Sequence, residues 1–480
     1  PVSLCGIKYP NPPAGQAESG TIPGMSRIAV YAGAFDPPAI HHRQIAERIA
    51  ERFDRVVVFP SGPRPDRPSA DSLPLHRAVM ADLNFRGLHR VIVELSDLEQ
   101  SRFTGNHEFD RVFGGEGKEV WHVVPLAATT GGAAGVARIQ REWTHGPELW
   151  RTARFVVLRE RNEELDPDDL PPRHEVVEVP PHGTTEAIRS LLFDGNPADG
   201  WLYPEVGGYI CRHGLFRPTP PARECVFRAT GPRIKLFIDK RNAGSVAVAD
   251  RLKPYEHPDP ELIVVVGGDG TMLHAIRTHW RERRPFFGIN TGHVGFLLNS
   301  NKQERFWDET LRLYQLPLLW VETVGLDGIT RGELAFNDCW VERETGQTAW
   351  VEVSVNDRVQ MPKVVADGML VSTAAGSTSY ARAMGATPMP FNAPLLTLAG
   401  SNVLKPEFWH PAVLTTDSEV RVRSLDPKKR PLRGFIDGVG QGRVTQMTAR
   451  VSNIAAVELL FTREHDPVAK LALLQFPQLG

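Results

Sequence analysis

The feature that most constrains this chain is an apolar run, Leu262-Ile263-Val264-Val265-Val266, that breaks directly into Gly267-Gly268-Asp269-Gly270-Thr271. A continuous run of this kind reads as a strand buried on both faces, the strand of a parallel sheet. Glycines at its end let the backbone turn tightly and bring N–H groups close to an anion. The spacing then predicts a helix over Thr271–Trp280, whose positive end faces the same spot. Main chain and helix dipole together suit a phosphate there. A carboxylate beside a phosphate is unfavourable unless it does chemistry, so Asp269 is a candidate base or metal ligand. The bland alternative is a plain strand-to-helix turn with Asp269 as its cap, and five residues alone do not separate the two.

The strand–helix rhythm recurs along the chain. Arg27–Gly33, Val56–Val58, Val91–Leu95, Val120–Val124 and Phe155–Leu158 read as short buried strands with helical stretches between them. Residues 1–24 are Pro/Gly-rich and aperiodic, and a flexible tail is expected there. Phe216–Arg233 carries four prolines and is the best linker. The rhythm restarts with Ile234–Ile238 as a strand and Val246–Leu252 as a helix. Beyond Leu318 it gives way to short alternating stretches such as Glu333–Val341 and Trp350–Val355, which is antiparallel texture. The expected class is α/β, with boundaries at 25–215, a linker at 216–232, an α/β lobe at 233–317 and a β-rich lobe with a C-terminal return segment at 318–480.

Composition narrows the function classes. Lys plus Arg and Asp plus Glu nearly balance, leaving a net charge of −2, so no basic excess recruits nucleic acid. No apolar run approaches the roughly 18 residues of a membrane span. The opening Pro1-Val2-Ser3 has no basic-then-apolar block, so no secretory signal is read there. Cys5, Cys211, Cys225 and Cys339 are scattered and form no C-x-x-C pair, which argues against a disulfide framework or a zinc site. A soluble, cytoplasmic protein acting on small molecules is the expectation, with no nucleic acid or membrane partner.

Further blocks sharpen the second half. Gly288-Ile289-Asn290-Thr291-Gly292-His293-Val294-Gly295-Phe296-Leu297 is another strand end with glycines. Asp367-Gly368-Met369-Leu370-Val371-Ser372-Thr373 runs into Ala374-Ala375-Gly376-Ser377-Thr378-Ser379-Tyr380, where hydroxyls and glycines suit a second nucleotide surface. No G-x-x-x-x-G-K-[ST] loop is present, which excludes a P-loop NTPase. With Asn337-Asp338 and a late Asp437-Gly438, these blocks resemble the NAD kinase family across Arg233–Gly480, in the family's order.

That resemblance implies ATP-dependent phosphorylation of the adenosine 2′-hydroxyl of NAD, with Mg²⁺ on the donor. Asp269 would be the base, Asn337 and Asp338 would hold ribose hydroxyls, and Ser377, Thr378 and Tyr380 would lie against the dinucleotide. Gly267, Gly268, Gly270, Thr271, Asn290, Gly292, Phe296, Asp367 and Asp437 complete the implied nucleotide site. A homo-oligomer is also implied. Ala374, Ala375 and Ser379 depart from the usual P-T-G-S-T-A-Y, and leave the preference for NAD or NADH open. Lipid kinases share the GGDG turn, but the G-T-x-N-D stretch that usually follows theirs is absent here.

The first half carries Gly33-Ala34-Phe35-Asp36-Pro37-Pro38-Ala39-Ile40-His41-His42 after its first strand. Such a turn can cradle a triphosphate. Over Arg27–His213 the chain resembles nicotinate/nicotinamide mononucleotide adenylyltransferases, whose opening G-x-F-D-P-x-H-x-G-H is met by Gly33, Phe35, Asp36, Pro37 and His42. The resemblance implies a Rossmann-like nucleotidyltransferase fold with nucleotide contacts from those residues, Ser61, Thr185 and Arg189. The first motif histidine is Ala39 and the motif glycine is His41, while Pro125-Leu126-Ala127 replaces an expected G-x-D turn. Losing one preorganised donor commonly costs about 10²–10³ in turnover. The expectation is a NAD kinase whose first domain is impaired as a transferase and serves a regulatory or structural role. The alternatives are a bifunctional enzyme and a non-catalytic dinucleotide sensor.

Overall fold

The computed structural model describes residues 25–63, 72–181, 183–218, 221–292, 294–300 and 305–476. The expected tail 1–24, Cys5 and His293 lie outside the described residues. Two compact units result, one ending at Ala222 and the other beginning at Arg223.

In the first unit, β1 (Ser26–Gly33), β2 (Arg55–Pro60), β3 (Val91–Val93), β4 (Lys118–Pro125), β5 (Arg154–Glu160) and β6 (His174–Val179) form a six-stranded sheet in the order β3-β2-β1-β4-β5-β6. All neighbours are parallel. Successive side chains of β1 go to opposite faces, and both faces are covered. Ala29 and Tyr31 pack with Ile45, Ile49 and Phe53 from the region of helix Ile40–Ala50, whereas Val30 packs with Phe59, Phe109 and Val120. The strand order turns back between β1 and β4, which opens a crevice at their carboxyl ends. β3 is shorter than the expected Val91–Leu95, because Leu95 turns into the helix Ser96–Glu99. β6 escaped the sequence reading: its alternating HEVVEV belongs to an edge strand and lacks a continuous apolar run.

The second unit begins inside the expected linker. β7 (Glu224–Cys225) pairs with the start of β11 (Leu311–Gly325), and Cys225 is buried beside Ile234, Trp307 and Leu311. The span 216–232 is therefore partly stitched into the unit that follows. Between them, β8 (Ile234–Ile238), β9 (Leu262–Gly267) and β10 (Phe286–Asn290) run parallel. The remaining strands are β12 (Thr330–Ala335), β13 (Asp338–Arg343), β14 (Ala349–Val355), β15 (Arg358–Ala366), β16 (Gly368–Thr373), β17 (Leu395–Ser401), β18 (Ala412–Thr415), β19 (Val420–Ser424), β20 (Leu432–Ile436) and β21 (Val439–Phe461).

All of β7 to β21 join one 15-stranded sheet, so the α/β part and the β-rich part share a continuous hydrogen-bonded framework. The 23-residue β21 is its spine: it pairs with β20, β19 and β11 and finally, in parallel, with β10. One apolar cluster joins Met272 and Ile276 to Phe336, Ala375 and Phe461, packing the helix after β9 against strand ends from the β-rich part.

Two local features of the fold fall at the candidate site residues. The helix after β9 spans Asp269–His279, two residues earlier than predicted, which puts Asp269 in its first turn. The alternating stretch Glu333–Val341 is divided between β12 and β13, with Phe336 and Asn337 between them. No helix among the described residues is long and apolar enough to cross a membrane.

Candidate functional site

Gly268 forms the N-cap of the helix that follows β9, with φ −113° and ψ −174°. Any residue adopts that conformation. A Cβ on Gly267 would press within 2.4 Å of the Thr271 hydroxyl, but a Cβ on Gly268 or Gly270 would meet nothing within 4 Å. Glycine at Gly267 is thus explained by packing, whereas at Gly268 and Gly270 the chain itself makes no such demand. What glycine preserves there is open space before the start of the helix, where N–H groups point outward.

Asp269 does not act as a cap for its own helix. One carboxylate oxygen, Oδ2, accepts the N–H of Phe296 and the other, Oδ1, that of Leu297, each at 2.9 Å. The carboxylate and the turn after β10 are thereby fixed to one another at the carboxyl ends of adjacent parallel strands. Asn290 shapes the approach to that turn, accepting from Gly292 N–H at 3.0 Å and donating to the Val294 carbonyl at 3.2 Å. Thr271 donates its N–H to the Gly268 carbonyl, closing the first turn.

Asp437 organises a second cluster. It occupies the left-handed region with φ 45° in the turn between β20 and β21. Its Oδ2 accepts from Phe336 N–H at 2.8 Å, and its Oδ1 from Asn337 at 2.8 Å and Asp338 at 3.2 Å. Those amides face Asp437 instead of a neighbouring strand, which is why β12 and β13 are separate. Burial raises the Asp437 pKa, while the three amides and the charge of Arg277 pull the other way. Asp338 is 3% exposed, and burial together with the Asp437 charge pushes its carboxyl up to about 7. Of the pair, Asp437 with its three donors keeps the charge and Asp338 takes the proton.

The Asn337 side-chain oxygen is buried and finds no donor among the described residues. A partner from outside the chain would satisfy it, since such orphans are costly and uncommon. Beside it, Thr373 donates its hydroxyl to the Phe336 carbonyl at 2.8 Å and accepts from Gly376 N–H at 3.1 Å. Gly376 must be glycine, because a Cβ would lie 2.3 Å from the Asn337 carbonyl oxygen.

The 373–380 loop divides its residues. Ser377 is fully buried; its hydroxyl donates to the Ala374 carbonyl at 2.7 Å and accepts from Met389 N–H at 2.8 Å. It therefore ties the loop together rather than offering a group to a ligand. Thr378 is half-buried, with its hydroxyl directed at the Ala375 carbonyl. Tyr380 is exposed and stands edge-on to Trp340 at 5.0 Å, and Trp340 stacks on Phe435 at 4.8 Å. Burial and the charges of Glu342 and Asp338 raise the Tyr380 hydroxyl. Asp367 is not brought to this cluster. In the β13–β16 register Asp338 faces Ser372 and Glu342 faces Gly368, so Asp367 lies about 16 Å away at the other strand end. There its carboxylate pairs with Arg343 at 2.6 Å and accepts from Asn402 at 2.8 Å.

Sequence reasoning missed Trp340, Phe435 and Lys470. The first two carry a faint signal, aromatic residues close to Asp338 and Asp437 in sequence. Lys470 carries none beyond its place after the Asp466-Pro467 helix start.

In the first unit, β1 runs into Gly33 and the 33–42 turn, with Phe35 at φ 48° and its ring packed against Gly33. Asp36 is buried; Oδ2 accepts from Arg189 and from Ser72 N–H, both at 2.6 Å, and burial raises its pKa despite them. Arg189 also donates to the Asp36 carbonyl at 2.7 Å, so it is tied to the turn. Ser61 holds Gly33 through its N–H at 3.0 Å, and buried Arg77 bridges the Ala34 and Ser61 carbonyls. His42 accepts the Ala39 N–H at 2.9 Å on Nδ1, closing its own helix start. Thr185 is the first residue of its helix, and the side-chain cap is Thr184, accepting from Ala187 N–H at 3.2 Å. Ala39 is fully buried among Val79, Met80 and Ile188.

With this geometry in view, the model for the ATP-NAD kinase N-terminal domain matches residues 245–312, the segment that includes β9, Asp269 and the turn after β10. The NAD kinase of Xanthomonas campestris pv. campestris (strain 8004) is 32% identical over 256 residues, covering 51% of this chain and 98% of that relative. The chain belongs to the NAD kinase family. Such proteins are phosphotransferases. The NAD kinase of Brucella melitensis biotype 1 is 33% identical over 240 residues, which is 48% of this chain and 91% of the relative. A crystal structure of an NAD kinase from Archaeoglobus fulgidus in complex with ATP aligns at 23% identity and a TM-score of 0.37, covering 48% of this chain and 93% of that one. These NAD kinases account for about half of the present chain.

Proposed function

We propose that the second unit transfers the γ-phosphoryl group of ATP to the adenosine 2′-hydroxyl of NAD, with Asp269 as general base. The observation that carries this reading is Asp269 itself. Its carboxylate is gripped by two amides of the turn after β10, beside a helix start where Gly268 and Gly270 leave room for an anion. The helix-start amides would stabilise charge on the transferring phosphoryl group, and Asp269 would accept the hydroxyl proton as the new P–O bond forms and ADP departs.

The orphaned Asn337 oxygen supports a donor such as a ribose hydroxyl at that position, and Asp338, protonated near neutrality, could donate to the same sugar. Tyr380 against Trp340 supports an aromatic surface for a base. Magnesium on the donor phosphates fits an ATP substrate. Among the described residues no group of three metal-ligating side chains offers a protein cage. The homo-oligomer implied by the family resemblance is retained as part of the proposal.

The first unit is proposed to be a nucleotidyltransferase-like module with a regulatory or structural role. Its strand order and glycine turn support the ancestry. Buried Ala39 and the capping role of His42 weigh against the bifunctional reading, since neither presents an imidazole in the motif's first position.

The test is a paired assay on the full chain. ATP, Mg²⁺ and NAD should yield NADP, and Asp269→Asn should lower turnover by at least about 10²-fold while NAD still binds by calorimetry. Near-full turnover by Asp269→Asn would end the base assignment. Nicotinamide mononucleotide with ATP should release no pyrophosphate above background; release at an ordinary enzymatic rate would instead establish the bifunctional enzyme.

A further inference from the structure

The turn at 295–298 is gripped from both sides. Its amide groups, on Phe296 and Leu297, point to the Asp269 carboxylate. Its outer carbonyls, on Gly295 and Leu298, accept from Lys470 Nζ at 2.6 and 2.8 Å. The Gly295 carbonyl and the Phe296 N–H belong to one peptide unit. That single peptide therefore carries an ammonium on its oxygen and a carboxylate on its N–H. Each charge polarises the amide in the sense that strengthens the bond at its other end.

Lys470 comes from the helix Pro467–Gln475, which is capped by its own Asp466 and tied at its far end to Pro388. The Asp466 carboxylate accepts from Val468 and Ala469 N–H at 2.9 Å, and Gln475 donates to the Pro388 carbonyl at 2.9 Å, beyond Tyr380. The other group facing Nζ is His465, with Nδ1 at 3.5 Å; its ring stacks on Phe461 at 4.0 Å. Burial and the Lys470 charge push His465 down to about 3, so its ring stays neutral across the working range. Lys470 is itself lowered by burial, and the Asp269 charge opposes this.

We propose that Lys470 is a positioning residue for phosphoryl transfer: by holding the carbonyls of the 295–298 turn, it fixes the amides that orient the Asp269 carboxylate. The proposal rests on the reading of Asp269 as the base. It assigns to a residue 201 positions beyond Asp269 the job of keeping that base aimed, with no contact between Lys470 and substrate required.

The full chain and its Lys470→Met variant separate this role from a merely structural one. Hydrogen–deuterium exchange of the peptide carrying Phe296 and Leu297 should accelerate at least about tenfold, while peptides of β9 and β21 and the thermal midpoint stay close to the parent. In NADP formation kcat should fall about 10- to 100-fold, with KM for ATP and NAD changed by less than about threefold. Unchanged exchange at Phe296 and Leu297 would overturn the clamp whatever the kinetics. Faster exchange with unaltered kcat would overturn the positioning role. If the parent chain makes no NADP, the functional reading fails on its own, and the exchange measurement still decides whether Lys470 holds the turn.

Discussion

Asp437 accepts the N–H of Asp338 across 99 residues of chain, in an arrangement that sets two buried carboxyl groups side by side. The charge resides on Asp437, which has three amide donors, and the neighbouring Asp338 carboxyl is left to hold a proton near neutrality. The proposed sugar-hydroxyl site would gain from such asymmetry, because one member accepts strongly while the other both accepts and donates.

That asymmetry has a pH signature. Asp338 holds its proton in the folded chain up to about pH 7, whereas the unfolded chain releases it near the ordinary value of 3.8. Between these values the folded state binds more protons, so stability falls as pH rises and levels off above pH 7. Asp338→Asn should remove this contribution, worth a few kcal/mol at most. Melting curves at pH 5, 6, 7 and 8 check it: the variant should gain on the parent as pH rises. A difference that is constant with pH would refute the shared-proton account.

The two adjacent glycines of the β9 turn should respond in opposite ways. Gly267→Ala forces a methyl within 2.4 Å of the Thr271 hydroxyl and should lower the melting temperature by several degrees. Gly268→Ala meets no atom of the chain and has an ordinary backbone conformation, so the fold should be unaffected. The methyl would instead occupy the proposed anion space, and kcat/KM for ATP should drop by about tenfold or more. Wild-type kinetics in Gly268→Ala would remove the phosphate from that turn.

Restoring the missing histidine of the first unit should not restore adenylyl transfer. Ala39 is wholly enclosed by Val79, Met80 and Ile188, so Ala39→His must place an imidazole in an apolar pocket that has no room for it. The expected cost is about 1–3 kcal/mol, read in calorimetry as a lowered unfolding transition, with no pyrophosphate release from nicotinamide mononucleotide and ATP. Activity gained without loss of stability would show that the lobe is degenerate at that position alone.

How far the chain could be read without coordinates depended on the range of the interaction. The buried run Leu262–Val266 and the glycine turn were legible because both are local: a continuous apolar stretch needs two covered faces, and a strand end with glycines needs no distant partner. The parallel sheet of the first unit was legible for the same reason, and β6 was lost because an edge strand covers one face only. The antiparallel texture of Glu333–Val341 was legible from its alternation, but the break within it was not, because the residue that splits it is the distant Asp437.

By itself the sequence determined the order of the motif blocks, the strand–helix rhythm of both halves and the presence of one acidic residue in a glycine turn after a buried strand, since each follows from neighbours in the chain. Only the tertiary structure decided how those side chains are used. Strand register carries Asp367 to the far end of β16 while keeping Asn337 beside Thr373. Chain closure buries Ser377 and turns His42 back onto Ala39, and it brings Lys470 to the opposite face of the turn held by Asp269. Hydrogen bonds and charges act over a few ångströms, and which groups come within that range is set by the pairing of strands and helices far apart in the chain.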